Sequence, residues 1–379
     1  MGHRVLVTDM YGARPAYAIA DLHEVVDITD RDATLAVARR HRIDGVICDT
    51  TDVGVPTAAF VAQSLSLSGI GLEAALNCTD KARMRRLTSD SVVRYQVVRQ
   101  ASELHQAVGD VGLPLVVKPA DNQSGRGVRI VSHPAEVQGA FDRAWAFSRS
   151  GRVLLEQVLT GTELIVDGFV THGDAAILAV AMKTPYADNP TISSRIHYPM
   201  ANDLPVDAHG LQQVCQSTIA ALGLRQGVFH AEFMVCPDRI VPIDIAARGG
   251  GVLIYRHVVP HVSGVDVNRA MIDLAMGGSP VTSPRATRGC ANIEFLRMPM
   301  GHLDAVLHAE QARAVEGVSA VVFNIAPGEA VGPLNDKDQR PGYIVALGET
   351  SQATITACEQ ARALLRVRMR DAAEPVTLS

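Results

Sequence analysis

Residues 226–251, QGVFHAEFMVCPDRIVPIDIAARGGG, decide how the rest of the chain is read. Phe229, Phe233, Val235, Ile240, Val241, Ile243 and Ile245 favour extended backbone, and Cys236-Pro237-Asp238-Arg239 supplies turn chemistry between them. The stretch is therefore expected to be a hairpin. A three-residue loop centred near Asp238 would set Glu232 directly opposite Asp244, with Ala246 and Arg248 following on the same face; a two-residue loop would make that contact diagonal. Like charges across a ladder destabilise it unless a cation lies between them, and two hard carboxylates suit Mg²⁺. Arg248 offers a planar fork to an anion, and Gly249, Gly250 and Gly251 let a backbone approach it. The plain alternative is a pair of solvated acids on the outer face of a sheet. An acid, a guanidinium and three glycines gathered at the end of an apolar strand favour metal ligands instead.

Upstream, residues 1–75 alternate strand-like and helix-like signals. Arg4–Thr8 and Gly45–Cys48 read as strands, and 32–41 and 55–68 as helices, an α/β pattern with parallel pairing. The first strand is followed by Asp-Met-Tyr-Gly-Ala-Arg, which lacks the glycine turn of a dinucleotide fold. Residues 77–88 read as a helix entered through Thr79 or Asp80, with Lys81 in its first turn against the favourable sense of the helix dipole.

Residues 114–131 read as a strand ending at Lys118, a loop containing Ser124, Gly125 and Gly127, and a second strand from Val128. Backbone N–H groups of such a loop can cradle phosphate oxygens while the lysine neutralises charge, although the strand-to-strand connection and the missing GxxxxGK[ST] exclude a Walker P-loop. Residues 152–171 read as strand, turn at Gly161 and strand, with Glu156, Gln157 and Leu159 able to offer groups to an adenine edge and Glu163 to a ribose. The ordinary reading is an exposed acid on each strand. A third strand covers 175–183. Residues 184–207 carry four prolines and no clear period, and read as a long loop, a class that is commonly functional. Arg195, His197 and Tyr198 in it are substrate candidates, as are His230, Gly250 and Arg256 nearer the hairpin. Helices are expected at 208–223, 265–276, 304–314 and 351–366, strands at 291–296, 319–325 and 343–347, and a linker at 280–290.

Four linked segments, in this order and spacing, resemble the ATP-grasp superfamily: Lys81, the lysine and Gly-rich hairpin at 118–127, LLEQVLTGTE, and Glu232…Asp244-x-Ala246-x-Arg248. The resemblance implies an N-terminal parallel α/β (pre-ATP-grasp) domain over 1–76, an ATP-grasp domain over 77–285 with a nucleotide lid at about 112–183, and a small C-terminal α+β lobe over 286–379. It assigns Lys81 and Lys118 to ATP phosphates and Ser124, Gly125 and Gly127 to a flap over them. It gives Glu156, Gln157 and Leu159 to adenine, Glu163 to ribose, Glu232 and Asp244 to Mg²⁺, and Arg248 to the transferred phosphoryl group or acyl-phosphate. Within the superfamily the nearest likeness is to L-amino-acid (dipeptide) ligases, carried by Ala291–Leu296, Pro299-Met300-Gly301 and Asp338–Thr350. The expected chemistry is ATP-dependent activation of a small-molecule carboxylate and its capture by an amine, with a homodimer as the family expectation. Ala246 stands where the superfamily commonly has a ligating Asn. No residue is assigned as the base for the amine; His230 and His257 are the candidates. Two other readings stay open: a purine-pathway-like carboxylase or formyl-phosphate ligase, and a nucleotide-binding regulatory protein without turnover.

Bulk composition agrees with a small-molecule enzyme. With 379 residues, 47% hydrophobic and 20% charged, the chain is long enough for two or three domains. A net charge of −5 argues against nucleic acid as a partner. The six scattered cysteines form no CxxC and point to the cytoplasm rather than to a disulfide framework. MGHRVLVTD runs straight into a strand, leaving no room for a signal peptide, and no apolar run reaches membrane-spanning length.

Overall fold

The computed structural model describes residues 2–88, 93–284, 289–370 and 374–378. The N-terminal part holds two parallel strands, β1 (Leu6–Asp9) and β2 (Leu22–Val25), with helices α1 (Arg31–His41), α2 (Val55–Ser64), α3 (Leu72–Thr79) and α4 (Lys81–Leu87). The strand expected at Gly45–Cys48 does not form. Gly45 instead lies against a helix end, where a Cβ would sit 2.8 Å from the Ala275 carbonyl oxygen, so the segment packs rather than pairs.

Asp80 ends α3 and caps α4 at once, its carboxylate accepting from Ala82 and Arg83 N–H at 3.0 and 3.1 Å. That cap settles the choice between Thr79 and Asp80, and places Lys81 and Arg85 four residues apart on one helix face.

A second layer is a four-stranded sheet in the order β3 (Tyr95–Val98), β6 (Val153–Gln157), β4 (Leu115–Pro119), β5 (Arg129–Val131), backed by α5 (Leu104–Val111) and α6 (Val137–Phe147). Its strands span 95–157, so it begins and ends earlier than the 112–183 expected for a lid. Val98, Leu115, Val117, Val153 and Leu155 face the helices and form its core.

The largest layer is an eight-stranded sheet built from β7 (Thr162–Thr171), β8 (Asp174–Tyr186), β9 (Asn189–Tyr198), β10 (Gly227–Val235), β11 (Ile240–Ala246), β12 (Cys290–Phe295), β14 (Val318–Phe323) and β16 (Gly342–Gly348). Their order is β11-β10-β7-β8-β9-β12-β16-β14, so strands of the C-terminal part continue the central sheet beyond β9. α7 (Ala208–Ala221) covers one part of a face over Leu164, Val166, Phe229 and Phe233, and α11 (Ser351–Leu364) covers another over Ile344 and Ala346. The other face carries Ile165, Tyr198, Ile293 and Val345 against Tyr255, Val258 and Val259 from the segment leading into α8 (Val259–Ser263) and α9 (Val267–Ala275).

Two expectations are corrected here. Residues 184–198 are not a loop: they finish β8 and form β9, with Pro185 placed at a bulge where no ladder donor is needed. Residues 304–307 are not helical: they belong to strand β13 (Gly301–Leu307), and only α10 (Ala309–Arg313) is helix. β13 lies in a small sheet with β15 (Ala330–Val331), β17 (Arg366–Met369) and β18 (Val376–Thr377), and pairing with the distant β17 overrides its helix-like local pattern. The expected linker lies partly outside the described residues, at 285–288. Among the described residues no helix is long and apolar enough to cross a membrane.

Candidate active site

The hairpin closes on a two-residue loop, Pro237-Asp238, with Cys236 N–H donating to the Arg239 carbonyl at 2.9 Å. That loop alone would leave Glu232 diagonal to Asp244. A β-bulge between the pairs Phe233–Pro242 and Glu232–Asp244 adds one residue to β11 and brings the two acids face to face. Two residues further along, His230 lies between Ala246 on one side and Asp167 on the other, on the same face.

Lysines hold the two carboxylates. Lys81 Nζ lies 3.0 Å from Asp244 Oδ2, and Lys183 and Lys337 Nζ lie 3.1 and 3.4 Å from Glu232 Oε1. Lys183 also pairs with Glu163, so it ties β7, β8 and β10 together. Burial would raise the Glu232 carboxyl, but Lys183, Lys337 and His230 outweigh it and keep the group well below the usual carboxylate range. Burial likewise opposes the charge on Lys81, yet Asp244 and Asp52 raise its pKa; for Lys183, Glu232 and Glu163 do the same. Lys337 moves the other way: Glu232 favours its charge, but neighbouring Lys183 and burial prevail and lower it. Two ammonium groups compete for one carboxylate, and Lys337 is the weaker partner.

Arg248 leaves the end of β11 and meets the N-terminal part, with Nε 2.5 Å from Asp52 Oδ1. Gly249 N–H donates to the Asp49 carbonyl at 2.6 Å; a Cβ on Gly249 would lie 2.8 Å from the Tyr255 ring, so only glycine allows this approach. Burial opposes the Arg248 charge, and Asp52 more than restores it.

The Gly-rich loop spans all three parts of the molecule. Ser124, Gly125 and Gly127 have φ of 62°, 71° and 73°, a left-handed run that turns the backbone back on itself. Lys81 Nζ donates to the Asn122 carbonyl at 3.0 Å, Asp52 N–H to Gln123 Oε1 at 3.0 Å, and Lys337 N–H to the Ser124 carbonyl at 3.0 Å. Arg126 pairs with Asp338 of the C-terminal segment.

Beneath the loop, Lys118 and Glu156 form a buried cluster with Arg85, Glu156 Oε2 and Oε1 lying 2.5 Å from Lys118 Nζ and Arg85 Nε respectively. Burial pushes the Glu156 carboxyl up, but Arg85 and Lys118 bring it down to about 2. Burial, with Arg85 and Lys81 nearby, lowers Lys118 despite Glu156. The Glu156 side chain is thus committed to the cluster. Gln157 ends the same strand and Leu159 follows it, the Leu159 N–H having no backbone partner among the described residues.

The structure therefore gathers Lys81, Glu163, His230, Glu232, Asp244, Arg248 and Gly250 around one face, with Lys118, Glu156 and the 122–127 loop above it. It does not bring Arg195 and His197 there, which corrects their assignment as substrate contacts. By strand alternation both point to the sheet face under α11, where Arg195 meets Glu294 at 3.2 Å and Glu359 at 3.8 Å, and His197 is buried opposite Asn292. Arg256 is exposed on the segment beyond the glycines. His257 bonds Ser319 at 2.6 Å, away from the paired acids.

Sequence reasoning missed Lys183, Lys337, Asp52, Asp167 and Arg85. Asp167 and Lys183 had a signal: each is a charge within or closing an otherwise apolar strand, LIVDGFV and AILAVAMK. Asp52 and Lys337 come from irregular segments and had none. Two opposed carboxylates fit Mg²⁺, which takes one or two protein carboxylates and completes its shell with phosphate oxygens and water. Among the described residues no group of three His, Cys, Asp or Glu could hold a metal unaided, so such an ion requires those phosphates.

Comparison with known proteins agrees with this arrangement. A family profile for the ATP-grasp domain matches residues 111–255, and one for the L-amino acid ligase C-terminal domain 2 matches residues 294–370. A formate-dependent phosphoribosylglycinamide formyltransferase of Synechococcus sp. (strain CC9311) is 24% identical over 98% of this chain and 93% of its own. The crystal structure of an L-amino acid ligase from Bacillus licheniformis superposes with a TM-score of 0.82 at 18% identity, covering 98% of this chain and 93% of that one. The biotin carboxylase domain dimer of Hydrogenobacter thermophilus 2-oxoglutarate carboxylase, solved with MgADP, ADP and bicarbonate, gives a TM-score of 0.75 at 13% identity over 100% of this chain and 86% of that one. The chain thus contains an ATP-grasp domain over residues 111–255 and, over residues 294–370, a domain of the L-amino acid ligase C-terminal type.

Proposed function

We propose that the protein is an ATP- and Mg²⁺-dependent carboxylate–amine ligase acting on a small acid such as an amino acid. The observation that carries the reading is the Glu232–Asp244 pair, opposed through a bulge and ringed by Lys81, Lys183, Lys337 and Arg248. Four acids at this centre (Asp52, Glu163, Glu232, Asp244) are matched by those four cations. In such a neutral set Glu232 and Asp244 would hold the metal of a bound polyphosphate, and the lysines they release would turn to its phosphate oxygens.

Bound Mg²⁺ supplies neutralisation of phosphate charge and orientation of phosphate oxygens. Lys81 and Lys118 hold the triphosphate beneath the Gly-rich loop, and the loop covers it, excluding water from a hydrolysable acyl-phosphate. Arg248, released from Asp52, offers charge-assisted hydrogen bonds to the acyl-phosphate formed when the substrate carboxylate attacks the γ-phosphorus, the bond to the β,γ-bridging oxygen breaks and ADP leaves. An amine then attacks the acyl carbon and phosphate leaves. The unpaired cysteines suit the reducing cytoplasm.

The C-terminal domain match favours amino acids as substrates. Whole-length likeness to formate-dependent formyltransferases favours a second reading, formate activation and transfer to a ribonucleotide amine. Purified protein incubated with Mg·ATP and pools of amino acids and small carboxylates, with formate as a separate arm, tests both by phosphate release and product mass. A condensed amino-acid product supports the ligase; formate-dependent turnover alone replaces it with the formyl-phosphate reading.

A further inference from the structure

Asp167 is fully buried in the middle of β7, and a carboxylate so placed must be paired. Its Oδ1 lies 2.7 Å from His230 Nδ1, and its Oδ2 accepts from the Tyr198 hydroxyl at 2.8 Å. The contact to Nδ1 leaves the opposite ring nitrogen, Nε2, without a hydrogen-bond partner among the described residues. The His230 side chain keeps 15% of its surface exposed and lies on the face of Glu232 and Asp244, one strand step away from them. Two small residues bound the space beside it. Ala246 is its register partner across the ladder, and Gly250 packs over the ring so closely that a Cβ would lie 2.9 Å from Nδ1.

We propose that His230 is the catalytic base of the ligation half-reaction, with Asp167 and Tyr198 as positioning residues. The inference rests on the carboxylate–amine ligase reading and adds to it the residue that handles the amine. A primary ammonium loses one proton to the unpartnered Nε2 of His230; the freed lone pair forms the C–N bond to the acyl-phosphate carbon; the C–O bond to phosphate breaks, and the departing phosphate takes the second nitrogen proton, leaving a neutral amide. The imidazolium then gives its proton to solvent. Asp167, itself held by the Tyr198 hydroxyl, engages Nδ1 and so fixes the orientation of the ring and of Nε2. Gly250 lets the backbone pack against the Nδ1 side of the ring, where a side chain would collide with it.

The test separates the half-reactions. Hydroxylamine, uncharged at neutral pH, captures acyl-phosphate as a hydroxamate with no base, whereas an amino acid supplied as ammonium requires one. With Mg·ATP and the amino-acid pool, wild type is expected to form both hydroxamate and amide. His230→Gln is expected to keep hydroxamate formation within about threefold while amide formation falls by roughly 10² or more. Asp167→Asn should show the same selective loss in smaller measure, amide formation falling while hydroxamate formation is kept. It carries the test if His230→Gln fails to show Mg·ATP-dependent thermal protection. Equal loss of both products in a folded variant, or an unchanged amide rate, overturns the proposal. If wild type forms no hydroxamate with any acid, the ligase reading itself fails and the inference falls with it, a result distinct from either variant outcome.

Discussion

Arg85→Met is the sharpest probe of how the site is held. The guanidinium is 2% exposed and makes four contacts: Glu156 Oε1 at 2.5 Å, Glu156 Oε2 at 3.4 Å, the Pro242 carbonyl at 2.5 Å and the Ile243 carbonyl at 3.3 Å. Those carbonyls sit in the bulge that turns Asp244 to face Glu232. Removing one partner of a buried ion pair costs about 3–5 kcal/mol, because the remaining charge is stranded. Unfolding entropy of about 2.1 cal/mol/K per residue converts 4 kcal/mol into a fall in Tm of about 5 °C for a chain of 379 residues. The same cluster sets an acid limit. Glu156, held at about 2 in the folded chain against an ordinary 4.5, contributes stability that is present above pH 4.5 and lost as pH falls from 4.5 towards 2. The shift corresponds to roughly 3 kcal/mol, and Arg85→Met should remove much of it. Scanning calorimetry from pH 7 to pH 3 reads both effects. A variant that melts within 1 °C of wild type at pH 7 and keeps the wild-type acid profile would refute the assignment of Arg85 as the support of Glu156.

Two further outcomes follow from the geometry. Gly168→Ala should destabilise the chain by about 3 kcal/mol or more, since a Cβ there would lie 2.2 Å from Phe229 Cζ and 2.5 Å from the Ala176 carbonyl oxygen; calorimetry showing a loss below 1 kcal/mol would mean that the two strands part easily. Asp338→Ala removes the exposed partner of Arg126, which should change Tm by under 1 °C but speed tryptic cleavage after Arg126 several-fold, with Mg·ATP restoring protection. Unchanged cleavage would show that the remaining contacts hold the loop.

The hairpin 226–251 was legible because its signals are local: β-branched residues, a turn and an acid on each strand. Even there the loop length did not decide the register, since a bulge near Ile243 compensated for it, and bulges carry no strong sequence mark. β9 was hidden by Pro190 and by the prolines on either side of it, although Thr191–Tyr198 alternates as a strand should. The N-terminal cap of α4 was readable, but the role of Arg85 was not, because its partners lie 71 and 157 residues away. The same holds for Lys183 and Lys337. Sequence names a charge readily, but the partner that makes a buried charge tolerable is set by tertiary placement.

The shared sheet has a consequence for synthesis of the chain on the ribosome. β9 meets its second neighbour, β12, only when residues near 290 have emerged, about ninety residues after β9 itself. Until then the nascent protein presents a bare strand edge beside Ile196 and Tyr198, an invitation to pairing with other chains. Arg195 lies on that edge as a charge without its partner Glu294, a feature that discourages such encounters while the ribosome completes the remaining strands.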